Sequence, residues 1–549
     1  MKERYIIILL IIISAVVYIS GMNWGLPSQK LNNLYFSGTD KIEKIYREKT
    51  DSLSAIPRSF YNPIRSYHPD EYFIIKCLQT IEPQHIFSSG QFSIGGAFLF
   101  LYGTLLFILY KLHFINLTKE ILFYFLNPQE IARFYITGRL LCILYAIGTV
   151  ILTYLLAKKI WKNKFYAFIS SFLLIFSPLF LLNSHYMYVD IPAVFWMMFT
   201  LFLSVKYLQG DEVNPFIIGL VAGISAGNKI TFLLTFFIPL ITFAIVKENL
   251  KTKFRNICFS FISFIIILFL TTPYIFTALY HLFYGEGSHA TQISFTPGFY
   301  LSSLKYGLGL LLILFISFGV FISFIKKGNT FLSSDRILIL FWIVILFSIM
   351  SLLSLKFARY ILPVIPPFIV IGAGGWLTLD ENKRLGFIRN IIIDFVVIFT
   401  FIYGMAFEVL FIKENIRTEA GVWIKENIPS GSSIGVTEVP WQFQMPPFDY
   451  YVYPVVVTGY NIEELKKKQP DFFILSSLQA PIPPYPLRLQ EERKRFYEEF
   501  IKSGLYTEIK KFERYPSFAG ITFKKKTLPE DLIYLNPAIV IFRKKEVRK

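Results

Sequence analysis

Ser66-Tyr67-His68-Pro69-Asp70-Glu71-Tyr72 is the stretch on which the architecture of this chain turns. It follows one apolar run, Tyr5 to about Ser20, and precedes every other. Two adjacent carboxylates and an imidazole flank a proline there, in a chain whose body is mostly hydrocarbon. Pro69 biases His68 towards an extended backbone and suits the first turn of a helix. Asp70 and Glu71 then fall in that turn, where the helix dipole favours negative charge. An acidic helix start is the plain account of such a stretch. The functional account is a carboxylate held at a membrane surface as general base or metal ligand. What surrounds the stretch decides between them.

The chain has 549 residues, 54% hydrophobic and 17% charged, with a mean hydropathy of +0.52. Repeated apolar runs of roughly 18 or more residues mark a polytopic helical membrane protein. Its 59 Phe and 33 Tyr suit lipid-facing helices and interfacial belts. The net charge of +18 falls largely in short loops between apolar runs, so anionic lipid, not nucleic acid, is the expected counter-charge. Cys77, Cys142 and Cys258 are too scattered for a disulfide framework or a cysteine metal site. Met1-Lys2-Glu3-Arg4 before the first apolar run, with no clear small-x-small cleavage site, reads as an uncleaved signal anchor.

Basic loops orient the spans. Lys158, Lys159, Lys162 and Lys164 form the first, Lys247, Lys251, Lys253 and Arg255 the second. Lys326 with Lys327, and Lys383 with Arg384 and Arg389, form the others, and all four are expected in the cytoplasm. Spans are predicted near 135–157, 165–183, 191–208, 214–227, 229–246, 255–275, 304–325, 336–355, 360–379 and 390–411. With the first run they make about eleven transmembrane helices. A cytoplasmic N-terminus then makes 25–134 one long external region, with 91–113 as a surface helix. Gly223, Gly227 and Asn228-Lys229 break 214–246 into a tight helical pair whose tip, near Lys229, faces outward.

After about 412 the pattern changes. Ala420, Trp423 and Ile424 share one helix face, strand-like runs cover 433–437, 472–476 and 538–542, and 490–503 reads as a charged helix ending at Gly504. The expected fold is therefore an α-helical polytopic membrane domain, 1–411, with a small C-terminal α/β soluble domain, 412–549, on the extracytoplasmic side. A prokaryotic plasma membrane is the expected location.

This topology gathers ionisable residues on the outer side: His68, Asp70 and Glu71; His185 and Asp190; Lys229; Lys356 and Arg359. Such convergence at one mouth of a helical bundle points to a site. Each residue also has a plain reading. Asp190 before Ile191-Pro192 reads as a helix cap, Lys229, Lys356 and Arg359 as cations snorkelling to headgroups, and His185 as a structural residue. His281, Glu286 and His289 read as ordinary loop residues. No HExxH, P-loop, GxSxG or GxGxxG at a strand-to-helix turn is present.

In order, Tyr67-His68-Pro69-Asp70-Glu71, Arg139 opening the next helix, and Asp190-Ile191-Pro192 after a His-Tyr pair resemble the C-type glycosyltransferase superfamily (GT-C). So do Gly223-Ile224-Ser225-Ala226-Gly227-Asn228-Lys229, Lys356-Phe357-Ala358-Arg359-Tyr360-Ile361-Leu362-Pro363 and Trp423-Ile424-Lys425-Glu426-Asn427-Ile428-Pro429. The pattern is similar to protein O-mannosyltransferases and to the aminoarabinose transferase of lipid A, and covers residues 5 to about 440. Asn228 departs from it, standing where relatives often carry Thr or Ser.

The resemblance implies an enzyme that moves a sugar, hexosyl or pentosyl, from a polyprenyl-phosphate donor to a lipid, glycan or protein acceptor. It implies Asp70 as the catalytic carboxylate with Glu71 as companion, Asp190 as second acidic residue, and Lys229, Lys356 and Arg359 facing the donor phosphate. His68, Arg139 and His185 take supporting places. A divalent metal ion, held through Asp70 and Asp190, is the one cofactor it allows, with at most a modest dependence expected. The chemistry suits these residue types: cations stabilise charge developing on the leaving phosphate, and a carboxylate accepts the acceptor's proton. One displacement inverts the anomeric centre. A transporter or flippase of a lipid-linked substrate, or an inactive scaffold of the same fold, is the rival reading.

Overall fold

The structure, a computed structural model, describes residues 2–36, 41–44, 46, 58–80, 94–284, 292–327, 332–379 and 383–545. Glu286 and His289 lie outside them, as do parts of the predicted 25–134 region. Each apolar run read from the sequence is helical, but the helices differ in length. Among the described residues, six are long and apolar enough to cross a membrane, or up to eight if two bent pairs each count as one span. Gly96–Lys111, Pro215–Ala226 and Ile230–Ile245 are apolar but shorter.

Both bends have local causes. Lys164–Ile175 meets Pro178–Ser184 at 65°, where Pro178 lacks the N–H that would continue the first helix and starts the second at its first turn. Pro297–Leu308 meets Leu310–Ile325 at 108°. There Gly309 turns the chain with φ of 86°, a conformation open to glycine.

The chain forms two compact units, neither continuous in sequence. The first comprises Met1–Ser20, Phe73–Leu105 and Gly138–Glu408. Its segment Ala358–Leu379 is 89% buried, whereas Leu250–Thr271 is only 28% buried and turns Phe254, Phe261, Ile265 and Leu270 outward. Large apolar side chains left exposed along a span are the face that lipid covers. On its other side Leu250–Thr271 packs against Pro215–Ala226 with almost no gap: a Cβ on Gly219 would stand 2.0 Å from the Ser260 carbonyl oxygen. Small residues permit such backbone approach between membrane helices.

The second unit comprises Gly21–Tyr72, Leu106–Thr137 and Val409–Lys549. It contains a five-stranded sheet in the order Val455–Val457, Ile434–Val436, Phe472–Ser476, Ile539–Lys544, Tyr506–Phe512. The first three strands run parallel and the last two pairings are antiparallel. Alternation sorts the strands' side chains onto two covered faces. Ile474, Ile539 and Ile541 pack with Ile416, Ala420 and Ile424, while Phe473, Leu475 and Val540 pack with Phe496 and Phe500 of the helix Glu491–Ser503. Three of the five strands were legible as apolar runs. Val455–Val457 is only three residues long, and Tyr506–Phe512 is a charged, exposed edge strand with no apolar signature.

Replacing Gly219 by Leu should force these helices apart and destabilise the protein by about 1–3 kcal/mol, read as a lower thermal midpoint by fluorescence-detected size exclusion. Gly298→Ala, where nothing lies within 4 Å of the added Cβ, should leave the midpoint unchanged or slightly raised.

Candidate functional site

Asp190 opens the helix Asp190–Leu208, whose capping residue Val189 makes no side-chain cap. The carboxylate is instead an ion-pair partner: Lys229 Nζ donates to its Oδ1 at 2.8 Å, and Arg359 Nε lies 3.8 Å from its Oδ2. All three side chains are buried. The local sequence explains how Lys229 reaches this position. Pro215–Ala226 ends at Gly227, and Lys229 is extended (φ −155°, ψ 133°) before the 3-10 helix Ile230–Phe236 begins. Its backbone forms an antiparallel bridge with Ile94, next to hydrogen bonds from Gly95 N to Asn228 O (2.8 Å) and Ala97 N to Gly227 O (2.9 Å). The broken helix expected around Gly227 thus becomes a short strand-like pin for the lysine.

Aromatic faces line the cations. Lys229 Nζ stands 4.7 Å from the Tyr360 ring centre and 5.2 Å from that of Tyr188, and the Arg359 guanidinium lies over Tyr188 and Phe357. Lys356, also buried, donates to Met350 O (2.7 Å) and Ser351 O (2.8 Å) and lies over Tyr300. Those carbonyls belong to the last turn of Ser334–Leu352, so Lys356 caps a helix C-terminus. A small pocket of about 10 Å³, room for about one water, lies beside Asp190, walled by Thr231, Tyr360, Trp342, Leu346 and Met350. In this cluster one carboxylate faces two cations. An excess of buried positive charge is a place for an anion.

His185 has a different set of partners. Its Nδ1 lies 2.9 Å from Leu181 O, and its Nε2 lies 3.0 Å from Ser20 O and 3.3 Å from the Glu408 carboxylate. Glu408 was absent from the sequence-based candidates, although a lone carboxylate within an apolar run was signal enough. Arg139 is fully buried in the helix Pro128–Trp161. His281 sits in the helix Ile275–Tyr284, edge-on to Tyr280, rather than in a loop.

The acidic stretch belongs to the second unit. Helix Glu71–Thr80 has Glu71 in its first turn, as expected, but Pro69 and Asp70 precede it instead of lying within that turn. Glu71 is fully buried and accepts a short hydrogen bond from the Ser66 hydroxyl, while Asp70 is half-buried. Asp70 N donates to His68 Nδ1 at 3.2 Å, which leaves the ring's proton for Nε2 when His68 is neutral. Tyr67 anchors the stretch: its N–H donates to Gly25 O, and its hydroxyl meets Thr418 Oγ1 at 2.9 Å. Burial pushes the Tyr67 phenol up to about 12, so it serves as an anchor rather than a base.

Arg417, which sequence reasoning missed, secures this anchor. Its guanidinium lies 4.4 Å from the Tyr67 ring centre and donates to Phe443 O (2.6 Å), Tyr534 O (2.7 Å) and Asn415 Oδ1 (3.0 Å). Tyr534 in turn packs edge-on against His68. Arg65 lies over both Tyr72 and Trp441, at 4.9 Å from each ring centre.

Among the described residues, no three His, Cys, Asp or Glu side chains come together as a metal site. At Asp190 the fit is poor on chemical grounds, since an ammonium already occupies Oδ1 and a guanidinium faces Oδ2.

The pair geometry predicts unequal costs. Asp190→Asn leaves two buried cations without their carboxylate and should destabilise by roughly 3–5 kcal/mol. Lys229→Met should cost less, because Arg359 still faces Asp190. Equal losses of thermal midpoint would show that Arg359 does not share the carboxylate.

Residues 97–284, about a third of the chain, match the model of the dolichyl-phosphate-mannose-protein mannosyltransferase family. That stretch includes Arg139, His185, Asp190 and Lys229; the acidic stretch precedes it, and Lys356 and Arg359 follow it. No curated protein matches the chain. Among solved structures, ArnT from Cupriavidus metallidurans bound to undecaprenyl phosphate is similar at 11% identity and a TM-score of 0.46, over 98% of each chain. The Archaeoglobus fulgidus oligosaccharyltransferase tethered to an acceptor peptide is similar at 13% identity and a TM-score of 0.41, over 87% of this chain and 69% of that one. The mycobacterial arabinofuranosyltransferase AftD is similar at 12% identity and a TM-score of 0.36, over 75% and 34%. Likeness at that level carries no argument about activity. Across 97–284, this chain carries the sequence pattern of the dolichyl-phosphate-mannose protein mannosyltransferases, in keeping with the GT-C glycosyltransferases that its motifs resemble.

Proposed function

We propose that this protein is an integral membrane glycosyltransferase that moves a sugar from a polyprenyl-phosphate donor to an acceptor at the extracytoplasmic face, with inversion. The observation that carries the reading is the buried cationic cluster around Asp190, of which Asp190 and Lys229 lie in the stretch that matches a lipid-phosphate-sugar transferase family. An apolar site rich in Lys and Arg suits a phosphate leaving group, because preplaced charge acts strongly where water is excluded. In this reading the acceptor's hydroxyl or amine attacks the anomeric carbon. The bond from that carbon to the phosphate oxygen breaks, and its electron pair stays on the phosphate. Lys229 and Arg359 stabilise that charge, with Lys356 supporting, and Asp190 holds the two cations in place.

Asp70 is assigned the acceptor's proton. It is less buried than Glu71, whose carboxylate accepts from Ser66 deep in the loop, and this favours Asp70 over Glu71 for that role. Glu71, His68 and Tyr67 shape the loop that presents it, and Arg139 and His185 hold the helices behind the site. A cytoplasmic N-terminus in a prokaryotic plasma membrane completes the proposal. The sugar and acceptor are identified only by class.

The test is transfer or hydrolysis of radiolabelled polyprenyl-phosphate sugars by purified protein, wild type beside Asp70→Asn. Loss of a general base should lower turnover by roughly 10²–10⁴-fold while elution and thermal midpoint stay unchanged. Undiminished transfer by the variant would overturn the role of Asp70. Substrate flux across sealed vesicles without bond cleavage would establish a transporter instead.

A further inference from the structure

At the end of the first unit that carries its basic loops lies a cleft of about 740 Å³, which the proposed transfer reaction does not use. Its walls are the end of Pro128–Trp161, the end of Asp190–Leu208, the turn Val246–Glu248 and the start of Ser334–Leu352. Two carboxylates line it, and both are occupied by protein donors. Glu248 accepts from the Tyr207 hydroxyl (2.6 Å) and from Asn256 Nδ2 (3.2 Å), one on each oxygen. Asp335 accepts from Gln209 Nε2 (2.7 Å) on Oδ2, and from Arg336 N (3.0 Å) and the Ser333 hydroxyl on Oδ1.

Three cations also line the cleft. Lys162 and Lys247 are exposed at its mouth, and the Arg336 guanidinium lies 4.4 Å over the Trp161 ring. Lys162 adopts φ of 52°, the left-handed conformation in which a helix-ending glycine is usual. A lysine kept there is unexplained by the turn itself. Close in sequence to the lysines, Phe165, Leu250 and Phe254 turn large apolar side chains outward. Cations beside exposed hydrocarbon suit a ligand with an anionic head and apolar tails.

We propose that this cleft binds the phosphate headgroup of an anionic glycerophospholipid through Lys162, Lys247 and Arg336. Basic pockets between membrane helices take such headgroups. The inference is independent of the transfer reading, because its probe is a lipid that carries no sugar.

The experiment measures binding of fluorescent phosphatidylglycerol to the purified full chain in neutral detergent, wild type beside Lys162→Gln/Lys247→Gln. Both lysines are exposed, so the variant keeps its fold. At about one kcal/mol per cation, affinity should fall roughly thirty-fold. Phosphatidylcholine should bind weakly to both proteins, and inorganic phosphate should displace the probe only at far higher concentration than unlabelled phosphatidylglycerol. Unchanged affinity in the variant, or equal affinity for phosphatidylcholine, overturns the proposal. Equal displacement by inorganic phosphate overturns the lipid assignment in favour of a free-anion site.

Discussion

A charge in an apolar interior must be matched, and that constraint governs the first unit. Asp190 and Lys229 are 39 residues apart in sequence and buried within 2.8 Å of each other. To bring them together the chain ends one helix at Gly227, lays Lys229 against Ile94 and resumes as a 3-10 turn. A continuous helix through 214–246 would satisfy its own backbone, yet it would carry the lysine elsewhere. The break exposes main-chain groups that the residue 94–97 segment then satisfies, consistent with irregular backbone being tolerated at membrane depth only where protein or a cavity meets it. Aromatic rings complete the arrangement by giving the cations polarisable faces in place of water.

The second unit meets a related demand with different chemistry. Arg417 is wholly buried and pairs with main-chain carbonyls rather than with a carboxylate. Its guanidinium fork joins Asn415, Phe443 and Tyr534 while its face covers Tyr67. A lysine could supply the charge but not this planar, several-donor geometry. The acidic stretch therefore rests on a framework of hydrogen bonds, and its one partly open carboxylate, Asp70, is held by neighbours on both sides.

Hydropathy made the helices legible, because length and apolarity are local properties. It overstated how many reach spanning length, since Pro178 and Gly309 bend two segments, and the 215–226 and 230–245 helices stop short. The convergence of Asp190, Lys229 and Arg359 was foreseen from topology, but their pairing was not, as partner choice is a property of packing. Lys356 illustrates the gap: an outer cation by position, it serves two carbonyls of a helix end. Glu408 and Arg417 escaped notice for opposite reasons. One was hidden inside an apolar run taken for lipid-facing helix, the other inside a polar segment where an arginine is unremarked. In the sheet, apolar strands announced themselves, and the charged edge Tyr506–Phe512 did not.

The hydrogen bond between Tyr67 and Thr418 joins residues 351 positions apart. During synthesis the acidic stretch therefore leaves the ribosome long before the segment that anchors it. Among the described residues, every long apolar helix after the first, Glu3–Ile19, is made in that interval. The loop proposed to carry the acceptor's base is then assembled last, when the tail folds against a segment made long before it. The order of translation becomes a checkpoint, in which a chain stalled or cut before Arg417 has its hydrophobic body but no support for its acidic loop.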